Sequence, residues 1–225
     1  MKIINPSVHS LVIKDCQIYQ KITALYVAGG ILGLALLSVP HSYGFYMGCI
    51  ILITVMVASG CHMVNLTVIN EKKEQTLPFV MSLPIRPIDY AMGKLIANLL
   101  VFLVPWAMLT LALVFITLFG PIPDGILIFL LLISVQVVVN YLIILAITIV
   151  TESEGWSIFS MVLVNLSLNP IIMLIVRNPV FHTHFESDNI VWSADASLIL
   201  SVQLLVSVLC IVAVVLLQRR RRTFI

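Results

Sequence analysis

Long apolar stretches separated by short polar segments dominate the chain. Between Lys21 and Glu71, 49 residues carry no Asp, Glu, Lys or Arg. As helix they would extend about 74 Å at 1.5 Å per residue, against a hydrocarbon core of roughly 30 Å. This stretch therefore predicts two membrane-spanning helices, and the proline and glycine within 40–44 mark the turn between them. Each of the later charge-free stretches has the length of one span.

The pattern predicts an all-α polytopic membrane protein with six transmembrane helices. Continuous apolar runs of this length exclude membrane-spanning β-strands, which alternate in polarity over about ten residues. No linker, low-complexity tract or internal repeat divides the chain, so 1–225 is predicted to form a single transmembrane domain. The predicted spans are 21–39, 45–69, 95–119, 126–150, 156–176 and 197–217.

Composition and charge predict a membrane protein and the orientation of its helices. The chain is 61% hydrophobic and 10% charged, whereas soluble domains are about 45–50% apolar and about 25% charged. Of the twelve Lys and Arg residues, eleven lie on the side of both termini and only Arg177 lies opposite, which predicts cytoplasmic termini. The four arginines of 219–222 follow a span and are expected to bind anionic lipid headgroups rather than nucleic acid.

The segment 5–20 has the periodicity of an amphipathic helix and predicts an interfacial helix ahead of the first span. The alternative is an ordinary leader helix without a mechanical role. Its apolar positions are Val8, Leu11, Val12, Cys16 and Tyr19, and its polar positions are Ser10, Lys14, Gln17 and Lys21.

The loop 70–94 mixes charges with large apolar side chains, which predicts a surface that docks on another protein or lies at the lipid headgroups. It is predicted to hold two short helices separated by 84–87. Pro87 suits the first position of the second helix and Asp89 its first turn, where the helix dipole favours a carboxylate. This second helix is expected to continue through Lys94 into the third span.

Two pairs of amides lie within the predicted spans, four residues apart in each pair. Gln136 and Asn140 share a face of the fourth helix, and Asn165 and Asn169 share a face of the fifth. One interpretation is that they line a pathway; the other is that they form interhelical hydrogen bonds worth roughly 1 kcal/mol each. Pro170 frees a backbone carbonyl next to Asn169 and predicts a hinge.

Catalytic motifs and metal sites are not expected. Gly93 and Lys94 lack the spacing of a phosphate-binding loop, and the chain has no GxSxG or HExxH motif, so it is predicted not to be an enzyme and not to hydrolyse ATP itself. Cys61 and His62 are adjacent and point about 100° apart on a helix. The external loop 177–196 carries four alternating polar residues that an extended strand would place on one face, although a solvated loop explains them too: His182, His184, Glu186 and Asp188.

The loop motif resembles that of the type-two permease family, the membrane subunits of ABC exporters. Such permeases carry an acidic residue, Thr-Leu, Ser-Leu/Thr-Pro and a helix leading to Gly-Lys. The matching residues are Glu74, Thr76, Leu77, Ser82, Leu83, Pro84, Gly93 and Lys94. Pro78, Arg86 and Pro87 depart from the family pattern.

The resemblance implies an exporter permease that works as a homodimer or heterodimer and binds two copies of a separate ABC ATPase subunit. ATP and magnesium would bind to that partner, with no cofactor in this chain. Leu77, Phe79, Met81 and Leu83 would fill a groove on the ATPase, with Glu74 and Arg86 at its rim. Glu152 and Glu154 would add a second contact or simply solvate a turn.

Two other functions stay open. One is a haem-exporter-like permease of cytochrome c maturation, which has six spans and a similar length. The other is a membrane scaffold or assembly factor, whose loop would bind a partner without motion linked to ATP.

Overall fold

The computed structural model describes residues 6–39, 41–70, 87–120, 122–183, 185, 187 and 189–220. Within these ranges all regular structure is helical. Six helices, counting the interrupted helix Glu154–Arg177 as one, are long and apolar enough to cross a membrane, which confirms the predicted number of spans. The helices are α1 (Pro6–Leu37), α2 (Ser42–Val64), α3 (Pro87–Phe119), α4 (Leu127–Thr151), α5 (Glu154–Leu166), α6 (Leu168–Arg177), α7 (Pro179–His182) and α8 (Ala194–Arg220).

Successive spans run antiparallel, so the bundle has two ends. The terminal end carries residues 6, 70, 87, 152 and 220, and the opposite end carries 38–39, 122–126 and 189–193. Two short elements extend the spans: a π-helical turn, Asn65–Asn70, prolongs α2 at the terminal end, and a 3-10 turn, Asp124–Ile126, precedes α4 at the opposite end. The backbone N–H of Gly125 donates to Ser187 O at 2.9 Å, which ties the second and third connections of the opposite end together.

The first helix differs from the prediction. α1 runs without interruption for 32 residues, so the helix predicted over 5–20 is not a separate element from the first span. The reason is local: residues 7–28 contain neither proline nor glycine, so nothing interrupts the backbone hydrogen bonds between them. Its position relative to the lipid headgroups stays a prediction.

The helix predicted to run through Lys94 into the third span is confirmed, because α3 begins at Pro87 and continues to Phe119. Pro87 occupies the helix start, where its missing N–H costs nothing. The other predicted short helix of the loop lies in 71–86, outside the described residues.

The centre of the bundle is α4. Its span is 72% buried, compared with 11% for α8, and it packs against α2, α3, α5 and α8. The outer faces of the other helices expose large apolar side chains, such as Leu111 and Leu198, which suits contact with lipid. A tight turn at Glu152, in the left-handed conformation with φ 48°, ends α4 and lets α5 fold back along it from Glu154.

Glycines allow a close contact between α1 and α2. A Cβ atom added at Gly48 would lie 2.8 Å from Gly33 O and 2.8 Å from Leu37 N, both backbone atoms of α1. Such an approach requires residues without side chains, as in the small-xxx-small contacts of membrane helices. Gly29 and Gly33 on α1, and Gly44 and Gly48 on α2, follow this four-residue spacing.

Candidate functional site

A buried ion pair joins α1 to α3 at the terminal end. Lys94 Nζ lies 2.6 Å from Asp15 Oδ2, and the two side chains are only 3% and 1% exposed. The other carboxylate oxygen, Oδ1, lies 3.4 Å from the ammonium of Lys14 and has no hydrogen bond within the described part of the chain. Removing two charges from water is costly, so such a pair within apolar spans marks a position of structural or functional importance.

Hydrogen bonds extend this ion pair to Asn98, one turn further along α3. Asn98 Nδ2 donates to Lys94 O at 2.9 Å, and the Thr67 hydroxyl lies 2.8 Å from Asn98 Oδ1. The Tyr141 hydroxyl of α4 donates to Asn98 O at 2.8 Å. Asn98 is fully buried, and it therefore links the π-helical turn, α3 and α4 through one side chain and one carbonyl.

A further bond ties α1 to the π-helical turn. The Tyr19 hydroxyl, one helical turn beyond Asp15, donates to Leu66 O at 3.2 Å. We call this connected set of side chains the polar anchor; it consists of Asp15, Tyr19, Thr67, Lys94, Asn98 and Tyr141.

The polar anchor holds both ends of the loop 70–94, which the permease resemblance predicts to couple to an ATPase. Thr67 lies three residues before Asn70, where the π-helical turn ends, and Lys94 lies seven residues after Pro87, where α3 begins. The loop residues predicted to contact an ATPase lie outside the described residues, so their arrangement stays a prediction. They are Glu74, Thr76, Leu77, Phe79, Met81, Ser82, Leu83, Pro84 and Arg86.

A second set of polar contacts crosses the middle of the bundle, and we call it the amide ladder. Gln203 of α8 donates through Nε2 to Gln136 Oε1 at 3.0 Å, and Gln136 Nε2 donates to Asn140 Oδ1 at 2.9 Å. Asn140 Nδ2 then donates to Val164 O of α5 at 3.0 Å. Gln136 and Asn140 thus form interhelical hydrogen bonds, while a role in a pathway stays untested.

The second predicted pair of amides does not join the amide ladder. Asn165 Nδ2 lies 2.8 Å from Met161 O and 3.2 Å from Cys61 Sγ of α2. Asn169 is exposed. The helix is interrupted between them at Ser167, as expected when Pro170 leaves the carbonyl four residues before it without a donor. The four predicted pathway residues therefore do not share one surface. One pair lies in the amide ladder, Asn165 contacts α2, and Asn169 is exposed.

The residues considered for metal binding lie in different surroundings. Cys61 contacts Asn165, whereas His62 Nδ1 lies 2.9 Å from the hydroxyl of Tyr26 on α1, so the two point to different neighbours. His182 ends the short helix α7 and is not on an extended strand. Among the described residues, no group of three or more His, Cys, Asp or Glu could hold a metal ion. His184, Glu186 and Asp188 lie outside the described residues.

Sequence reasoning missed Asp15 and Gln203. Asp15 lies four residues after Leu11 and four before Tyr19, so it occupies the apolar face of the N-terminal segment. A carboxylate on such a face needs a buried partner, and this requirement could have identified Asp15 from the sequence. Gln203 is a single amide in an otherwise apolar span, and that position alone predicts a partner on a neighbouring helix.

Comparisons with protein-family models, with curated proteins and with solved structures give no match for this chain. Its function is therefore inferred from its own residues and geometry.

Replacing Gln203 with leucine is expected to lower the free energy of unfolding by about 1 kcal/mol, because the amide ladder loses its donor to Gln136 Oε1. Unfolding in mixed detergent micelles would measure it. Ser201→Ala is the matched control on the same helix, since the Ser201 hydroxyl is exposed and bonds only to Ser197 O one turn away. Equal stability of the two variants would contradict an energetic role for the ladder.

Proposed function

We propose that this chain is the permease subunit of an ABC exporter in a prokaryotic inner membrane, with both termini cytoplasmic. It would dimerise with a second permease subunit and bind two copies of a separate ATPase subunit through the loop 70–94. ATP and magnesium bind to that partner. The loop motif supports the proposal from the sequence, and six helices of spanning length are compatible with it.

The observation that carries the proposal is the polar anchor. It holds the chain just before the loop through Thr67, at the last loop residue through Lys94, and just after the loop through Asn98. A loop that only connects two spans needs no such fixation, because loops tolerate mobility. A loop that must transmit movement needs firm ends, and here both ends are bonded to each other and to α1.

The continuity of α3 adds a rigid path into the bundle. No break separates Pro87 from Lys94, so a displacement of the loop at residue 87 reaches the ion pair without an intervening joint. From there the contacts of Asp15 carry it to α1, and those of Asn98 carry it to α4 through Tyr141. Closure of the ATPase subunits would thereby tilt α2 and α3 and open the transport pathway.

The four amides are assigned to this pathway as candidates. Gln136 and Asn140 face each other inside one chain, so they would reach cargo only after a rearrangement of α4 against α5 and α8. Asn169 is exposed beside the break at Ser167, and it is therefore the candidate that needs the least movement. Asn165 would need an intermediate amount of movement, because its side chain is bonded to Cys61.

Leu83→Asp tests the docking. We expect the wild-type chain, purified from its native membrane, to retain an ATPase subunit that hydrolyses ATP, and the variant to lose at least about tenfold of it, because a buried apolar anchor is replaced by a charge. The amount of retained subunit and its ATP hydrolysis are both measured.

Asn189→Asp is the matched control, since it introduces the same side chain at an exposed position of the opposite end, and it should retain the subunit. The proposal is wrong if the wild-type chain retains no nucleotide-binding subunit. It is also wrong if a partner binds but its ATP hydrolysis is independent of this chain, the result expected of a scaffold.

A further inference from the structure

An apolar cavity of about 430 Å³ lies between α2, α4 and α6, in the half of the bundle nearest the opposite end. On α2 it extends from Phe45 to Met56, and on the 3-10 turn and α4 from Ile126 to Val137. Each of these stretches covers about 16 Å at 1.5 Å per residue. That length equals roughly half of a 30 Å hydrocarbon core, the depth of one leaflet.

The lining of the cavity offers a ligand almost nothing polar. Among the lining residues that the structure describes, only Tyr46, Cys49 and Ser134 carry a hydroxyl or a thiol, and the other side chains are apolar. The Ser134 hydroxyl already shares a hydrogen bond with Thr110 Oγ1 at 2.8 Å. A polar ligand would lose its hydration without gaining partners, so the chemistry selects a hydrocarbon.

A cavity of this size is not expected to stay empty. Voids destabilise a protein in proportion to their volume, and an apolar cavity of about 150 Å³ in a soluble protein already binds benzene. The present cavity is nearly three times as large. Water is not a suitable occupant, because it needs two to four polar partners.

The two ends of the cavity differ. At the rim, Tyr46 is 64% exposed, and the ring of Phe185 packs edge-to-face on Phe129 with centroids 5.2 Å apart. At the base, Met56 and Val137 are 4% and 2% exposed. Tyrosine is enriched where the membrane meets water, because its ring is apolar and its hydroxyl polar. A guest with an apolar chain and a polar head therefore fits with its head at the rim.

We propose that this cavity binds one alkyl chain of an amphiphile, with the head group beside Tyr46 and the chain end near Met56. The size, depth and lining of the cavity select this guest whether or not the chain is an exporter permease. A membrane phospholipid and a separate single-chain amphiphile share this chemistry.

Photolabelling of the full chain in lipid nanodiscs tests the proposal. One sample contains phosphatidylcholine with a diazirine on one acyl chain, and the other contains a single-chain diazirine fatty acid. We expect labels on Met56 and Val137, which lie at the base of the cavity. Labelling by the phospholipid identifies a membrane lipid as the guest, and labelling by the fatty acid alone identifies a single-chain amphiphile; both support the site.

Ile133→Trp should remove this labelling by filling the cavity, and Cys49→Phe is an independent variant with the same expected loss. Leu209→Trp is the matched control, because Leu209 is 56% exposed on α8 and lies away from the cavity; it should leave the label on Met56 unchanged. Labelling of exposed residues of α8 by bulk lipid verifies that each variant is folded and inserted. The proposal is overturned if neither probe labels the base, or if both filling variants keep the label.

Discussion

Replacing Lys94 with methionine is expected to lower the free energy of unfolding by about 3–5 kcal/mol, because the carboxylate of Asp15 loses its buried counter-charge and keeps the more distant, 45% exposed Lys14. The methionine side chain has a similar length, so lost packing contributes little to the change. Unfolding in mixed micelles, followed by tryptophan fluorescence, measures the effect. Loss of the ion pair should also loosen the N-terminal end of α3, and faster proteolysis near residue 87 would detect this change.

The double variant Asp15→Leu with Lys94→Met separates charge from packing. Removing both partners leaves no uncompensated charge, so most of the lost stability should return, to within about 1–2 kcal/mol of the wild type. Lys14→Met is the control for a nearby cation, since this side chain is 45% exposed, and it should cost less than about 1 kcal/mol. If the double variant is as unstable as Lys94→Met, the ion pair is not the cause.

Replacing Gly48 with valine is expected to destabilise the protein by about 3 kcal/mol or more, at the upper end of the range for overpacked sites. The new Cβ would lie 2.8 Å from two backbone atoms of α1, and a backbone cannot move aside as a flexible side chain can. The helices α1 and α2 would have to separate along their whole contact. Thermal unfolding of the purified protein measures the loss.

Variants at two other glycines are the controls for Gly48→Val. Gly155→Val places the same side chain where the nearest atom, Ser153 Oγ, is 4.0 Å away, so its effect should stay within about 0.5 kcal/mol. Gly29→Ala meets a Val55 methyl group at 3.3 Å, a side-chain contact that can yield, and it should fall between the two. Similar losses of stability in Gly48→Val and Gly155→Val would show that valine in a helix, and not the close contact, causes the destabilisation.

The number of spans was readable from the sequence because a bilayer demands about twenty apolar residues for each helix. The helix ends could be predicted in part: Pro87 correctly marked the start of α3. The continuity of α1 from Pro6 into the first span was not predicted, because polar residues continue a helix as readily as apolar ones. Pro170 correctly marked a weakness in the fifth span, although the interruption itself falls at Ser167.

The polar anchor could be predicted only in part. A lysine ahead of a span normally remains in the headgroup region, so Lys94 gave no reason to expect burial. Its partner is 79 positions away in the sequence, and contacts at that distance depend on how α1 packs against α3. Periodicity along one helix identifies which face is apolar, but not which neighbour covers it. The amide ladder has the same limit, since Gln203 and Gln136 are 67 residues apart.

A rotation of α1 against α2 would have the glycine contact at Gly33 and Gly48 as its pivot, because two backbones meet there. Gly33, at that contact, and Asp15 are 18 residues apart on one uninterrupted helix, which corresponds to about 27 Å. A rotation of α1 by about 10° around the contact would sweep Asp15 through an arc of roughly 5 Å. Because Asp15 is bonded to Lys94, the start of α3 would have to follow that arc or the bond would break. A small rotation at one side of the membrane would therefore become a large displacement at the other.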